Sequence, residues 1–221
     1  MSPLRAAALL LACAGCAVAP APAWKSEARD ALDAFTSSYL AGDTRAAQRH
    51  FGEARAAVAA TGRADLVARV ELVRCAVGTA ALDAEACAAA DAMRAELADA
   101  DRAYAEFLEG NADPARAARL PEQYQPLAQA ADDKGRLQAL AGIADPVSRL
   151  VAAGALFRGG RLPPQGVAIA VETASDQAWR HPLLAYLNVQ ASLAETAGDT
   201  AMLEAVRKRL DLVADPAGRR P

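Results

Sequence analysis

AGDTRAAQRHFGEARAAV, residues 41–58, reads as a turn followed by an amphipathic helix. Gly42-Asp43-Thr44 closes one helix and opens the next. Glycine takes the left-handed conformation at a helix end, and aspartate accepts from the free amides of the following first turn. Ala47, Phe51, Ala54 and Val58 then recur at helical spacing, which marks one buried face. Upstream, Ala28, Leu32, Phe35 and Tyr39 repeat the pattern and predict a helix from about Lys25 to Ala41. Downstream, Thr61-Gly62 breaks the chain, and Leu66, Val70, Val73 and Val77 form a third stripe with Arg69 and Arg74 beside it. No proline lies between Ala23 and Asp113, so only glycine turns need interrupt the helix there.

The remainder extends the same grammar. Shorter helices are expected at about 83–95 and 99–109, then a less regular connector holding Pro114, Pro121 and Pro126. Asp145-Pro146 places a cap residue before a proline at the first helical position, ahead of a stripe of Val147, Leu150, Val151, Gly154 and Phe157. Gly159-Gly160 closes that helix, and Pro163-Pro164 opens one carrying Val167, Ile169 and Val171. His181-Pro182 starts another, which Gly198-Asp199 separates from a last helix with Leu203, Val206, Leu210 and Val213. Alanine, the best helix former, is abundant, and no segment alternates β-branched or aromatic residues with polar ones. The fold class is therefore all-α, with residues 25–214 as one helical domain and 215–221 as a flexible tail.

The four residues of the opening turn recur at Ala197-Gly198-Asp199-Thr200. In the first copy, Gly42, Ala47, Phe51 and Ala54 resemble the second half of a tetratricopeptide repeat, with a turn, a small residue for close approach and an aromatic filler. The likeness covers one half-repeat: Phe35 stands where the family has a small glycine, and the closing proline near Ala59 is absent. After Gly198 and Asp199 come Leu203, Arg207 and Leu210 instead of the small, aromatic and small residues. Phe157-Arg158-Gly159-Gly160 is a third such junction, although no fixed period of about 34 residues links the three. The resemblance implies helical hairpins stacked as an irregular TPR-like solenoid, with a non-repetitive bundle as the alternative. The Ala- and Arg-rich pattern as a whole also resembles uncharacterised proteobacterial lipoproteins, which brings no activity with it.

The first 24 residues carry an address. Arg5 precedes an apolar run, Ala6 to Ala12, well short of the roughly 20 residues that cross a bilayer. With the cysteines that follow, it resembles a bacterial lipoprotein signal. Leu10-Leu11-Ala12-Cys13 and Cys13-Ala14-Gly15-Cys16 both fit the acylation motif; Cys16 is preferred for its small flanking pair, Cys13 is the alternative, and an ordinary cleaved signal is a third reading. The resemblance implies a signal at 1–15, then at 16–24 an acylated cysteine and a Pro/Ala tether. Ala17, being other than Asp, implies an outer-membrane, periplasm-facing anchor held by acyl chains. The tether spans only about 20 Å, so the domain would sit near the bilayer.

In an exported chain the remaining pair, Cys75 and Cys87, is expected to form a disulfide, since antiparallel helices across Gly78 to Asp83 bring such positions together. Two buried thiols are the alternative, and no histidine lies near either to make a reactive one. A net charge of −3 provides no basic stripe for nucleic acid. Chemistry is sparse. His50 with Glu53 is too small a set for a metal, Asp99/Asp101 and Asp132/Asp133 read as caps, and Glu27, Glu71, Glu106 and Glu195 are scattered. Trp179-Arg180-His181 is the candidate recognition cluster, with helix-start packing as the bland alternative. No phosphate loop, nucleophile elbow, cofactor or metal site is indicated. The expectation is a membrane-anchored, non-catalytic interaction or assembly module with an envelope protein or peptide partner. A peptidoglycan-acting enzyme and a carrier of an apolar ligand are the alternatives.

Overall fold

The computed structural model describes residues 22–215; the signal segment, Cys13, Cys16, most of the tether and residues 216–221 lie outside the described residues. Those described form eleven α-helices and four short 3-10 turns, with no strand among them. In chain order the helices are α1 Ala23–Ala41, α2 Thr44–Ala59, α3 Ala64–Ala80, α4 Ala88–Ala92, α5 Asp99–Leu108, α6 Gln125–Gln129, α7 Asp133–Gly142, α8 Pro146–Arg158, α9 Pro164–Asp176, α10 Arg180–Ala197 and α11 Thr200–Ala214.

Local chemistry sets the helix ends. Asp43 accepts from the Ala46 amide at 2.9 Å and Asp199 from the Met202 amide at 2.9 Å, so the two copies of the turn cap their helices identically. Asp132 and Asp145 do the same for Gly135 and Ser148, each at 2.7 Å. The preceding helices also end alike. Gly42 sits at φ +84° and Gly198 at +69°, and the amide after each reaches back five residues, Asp43 to the Ser38 carbonyl and Asp199 to Ala194. Leu82 (φ 59°) and Ala178 (φ 52°) make the same closure without glycine.

Three expectations need correction. The segment expected at 83–95 is broken into a 3-10 turn Glu85–Cys87, α4 and a 3-10 turn Arg94–Glu96, because Cys87 is fixed against α3 and the chain must turn around it. The connector holds a full helix, α7, that lacks an apolar stripe: only Leu140 is buried, and Gly135 and Gly142 dilute the face. Phe157 is 42% exposed instead of belonging to the core. α8 is buried on all sides from Leu150 to Leu156, whereas in its last turn Phe157 faces outward while Arg158 reaches Cys87 and Asp83.

α1 and α2 pack as an antiparallel hairpin, α3 follows, and α9, α10 and α11 pack in sequence. Contacts between distant segments complete the core. α3 lies against α8, and α1 touches α10. A methyl group at Gly154 of α8 would collide with the Thr79 carbonyl of α3, so these two central helices meet backbone to backbone. Such contact requires a residue without Cβ. Gly78 is likewise closed off by Ala86, beside the bridge.

Candidate functional site

A groove of about 540 Å³ opens where α1, α3, α5 and α8 converge with the 3-10 turn Glu122–Tyr124. Its floor is the buried Val70, Val77, Val151 and Tyr124; its walls are the half-buried Leu32, Leu66, Val73, Tyr104 and Val147. The stripe on α3 explains the floor: that helix is wanted by both α2 and α8, and the groove uses what remains of its apolar surface. The aromatic side is rigid. Tyr104, Phe107 and Tyr124 stack, with centroids 5.0–6.3 Å apart. Flat rings held by one another make a preformed wall that loses little conformational freedom on binding.

Polar groups stand at the rim. Arg69 Nε lies 3.3 Å from Asp101 Oδ2, joining α3 to α5 at the mouth. Gln123 Nε2 reaches Ser148 Oγ at 3.5 Å. Burial pushes the Tyr104 phenol well above the usual tyrosine range, and the neighbouring Tyr124 raises it further. Tyr124 is also raised by burial, less so because Ser148, Tyr104 and Gln123 hydrogen-bond to it. Both phenols are therefore neutral at physiological pH. A larger hollow of about 760 Å³ lies between Pro126 and α7, lined mainly by glutamine, alanine and glycine with Glu122 and Ile143, and it has no aromatic ring or cation. The tyrosine groove is the better-equipped site.

Trp179 packs half-buried on the core as the residue before α10. Arg180 donates to the carbonyls of Val213 and Ala214 at 3.1 and 3.2 Å, satisfying the end of α11. His181 Nδ1 lies 3.2 Å from the Tyr39 carbonyl, its ring 4.7 Å from that of Tyr39. A carbonyl only accepts, so Nδ1 carries the proton. The cluster thus ties together the ends of α1, α10 and α11, and its polar groups serve contacts within the chain. A methyl group at the turn residue Gly42 would come to 4.0 Å from the Arg180 side chain. Ala47, Phe51 and Ala54 are buried in the α1–α2 hairpin, where Phe51 lies 5.2 Å from Phe35.

Cys75 and Cys87 are joined by a disulfide and buried. Arg158 of α8 donates to Cys87 Sγ at 3.3 Å and to the Asp83 carbonyl at 3.0 Å, while Tyr39 donates to Asp83 Oδ2 at 2.7 Å. The turn across the bridge is thus held from both sides.

Several of the carboxylates are paired. Glu71 is buried with Oε1 3.0 Å from Arg55 and Oε2 2.8 Å from Arg74, the latter an ion pair rather than an aligned hydrogen bond. Arg74 also lies over the Phe51 ring at 4.8 Å. Glu106 pairs with Arg116, Asp99 with Arg102 and Asp133 with Arg136. His50 and Glu53 meet at 3.1 Å on an exposed face, beside Glu27 and Asp30. Among the described residues no group of three or more His, Cys, Asp or Glu is placed to hold a metal ion. No described helix is long and apolar enough to cross a membrane.

Sequence reasoning missed Tyr104, Tyr124 and the Arg69–Asp101 bridge. Arg69 was visible only as a cation flanking a stripe. The tyrosines carry no motif, and their pairing depends on how the irregular connector folds back on α5. Comparison with protein-family models, curated proteins and solved structures finds no match.

Proposed function

We propose that this chain is a non-catalytic binding module of the cell envelope, whose tyrosine-walled groove holds an apolar segment of an envelope protein or peptide. The observation that carries the reading is the groove itself: an open apolar channel with a stacked aromatic wall and polar groups confined to its rim. That is the anatomy of surfaces that take an apolar anchor and orient it with a few hydrogen bonds. The Cys75–Cys87 bridge supports an oxidising compartment. The N-terminal signal supports acylation at Cys16, with Cys13 as the alternative, and a periplasm-facing outer-membrane anchor. The paired turns at Gly42-Asp43 and Gly198-Asp199 support a TPR-like ancestry for the hairpins.

In-cell cross-linking of the tagged chain, followed by purification from the membrane fraction, tests this reading. A dominant envelope partner that is lost with Val73→Asp, but retained with a change at exposed Leu212, is the expected result. Recovery unchanged by Val73→Asp would contradict it. Labelling with a lipid precursor tests the anchor, and Cys16→Ser should abolish incorporation. Label persisting in that variant would move the anchor to Cys13. The volume of the groove also falls within the size range of small-molecule sites, which favours a carrier of an apolar ligand as the second reading.

A further inference from the structure

Arg69 and Asp101 differ in how well each stands alone. The Arg69 side chain is 62% exposed and that of Asp101 only 22%. Asp101 lies in the first turn of α5, where the helix dipole favours a negative charge without help from a cation. Arg69 lies in the middle of α3, and both acids of that helix are taken by other cations, Asp65 by Arg63 at 2.6 Å and Glu71 by Arg55 and Arg74. An exposed bridge of this kind contributes little. Exchanging Asp101 for another carboxylate therefore costs little, while a cationic visitor would meet an exposed guanidinium.

We infer that the occupant of the groove is an acidic-apolar peptide segment, in which an Asp or Glu side chain displaces Asp101 from Arg69 while a nearby apolar side chain enters between Val73, Tyr104 and Val147. This rests on the groove reading above and names the chemistry of its partner. Burial of the apolar anchor supplies the affinity, and the carboxylate exchange supplies the orientation. Gln123 and Ser148, at the far rim, offer an amide and a hydroxyl to the peptide backbone. Asp101 acts as an internal placeholder that keeps Arg69 paired in the free protein.

The test is selection on the immobilised full chain, disulfide intact, from a positional-scanning library of short peptides with N-acetyl and C-amide ends. Blocked ends leave side chains as the only carboxylates. The wild-type chain should retain peptides with Asp or Glu close to Leu, Ile or Phe. Asp101→Asn should raise retention by about threefold, since the bridge it removes competes for Arg69. Arg69→Glu should turn the charge preference toward Lys and Arg. Apolar enrichment without an acidic preference, or an acidic preference unchanged by Arg69→Glu, would overturn this inference and leave the groove reading standing. Absence of any retained pool, or retention unaffected when Val73→Trp fills the groove, would overturn the groove reading itself.

Discussion

Ala178 holds a left-handed backbone at φ 52°, closing α9 just before the Trp179-Arg180-His181 junction. An L-residue with a Cβ pays roughly 1–2 kcal/mol there, while glycine adds some unfolded-state entropy that partly offsets the relief. Ala178→Gly should therefore raise stability by about 0.5–1 kcal/mol, read as a shift in denaturation midpoint without a change of slope. Phe51 has the opposite sensitivity. It is 8% exposed, in ring contact with Phe35 and beneath Arg74. Phe51→Ala should cost about 3–5 kcal/mol by chemical denaturation, and a loss below about 1 kcal/mol would contradict its placement. At this scale the sequence was informative wherever the signal was local. Gly42, Asp43, Ala47, Phe51 and Ala54 all sit within one turn-and-helix unit, and each does what its residue type and spacing imply. Tyr104 and Tyr124 are separated by the irregular connector, so nothing in their own neighbourhoods announces that their rings stack.

Between elements, the tightest constraint is the crossing of α3 and α8 at Thr79 and Gly154. Gly154→Ala must push the two backbones apart, at a cost of about 1–3 kcal/mol or somewhat more, although alanine is the better helix former. Thermal unfolding of that variant would expose the conflict: a stabilised protein would mean the helices are not in backbone contact. The bridge from α3 to the turn before α4 closes a loop of twelve residues, and its removal by paired serine substitutions should cost about 3 kcal/mol on the chain-entropy model. Native protein, denatured without reductant, should show no free thiol at Cys75 or Cys87. Helix existence was readable in the chain where caps and stripes agree, as at Asp145-Pro146. It was not readable for α7, a peripheral helix with one buried residue, because periodicity records burial and α7 has little.

For the molecule as a whole, the tyrosines provide a pH readout. The chain has 4 tyrosines, and Tyr39, Tyr104, Tyr124 and Tyr186 are all raised above the ordinary value of 10.0, each mainly by burial. A raised folded-state value means the native protein holds these protons after the unfolded chain has released them. Stability from this source is complete below about pH 10 and declines as pH rises further. The tyrosinate absorbance band should therefore appear late and together with loss of helical circular dichroism. Early, gradual ionisation with the helices intact would show that the rings are open to solvent. Tyr39 and Tyr186 lie where α10 meets α1 and α8, pairings that join segments too distant for any periodicity to reveal.

The tyrosine-walled groove is proposed to hold a partner in the envelope. Site-specific photo-cross-linking in living cells tests this most directly, with Gln123→p-benzoylphenylalanine at the rim, which leaves the groove open, compared with the same substitution at exposed Leu212. The groove position should give a discrete cross-linked product, weakened by Arg69→Glu, where the exposed position gives none. Equal products from both positions, or none from position 123, would contradict a binding role for the groove.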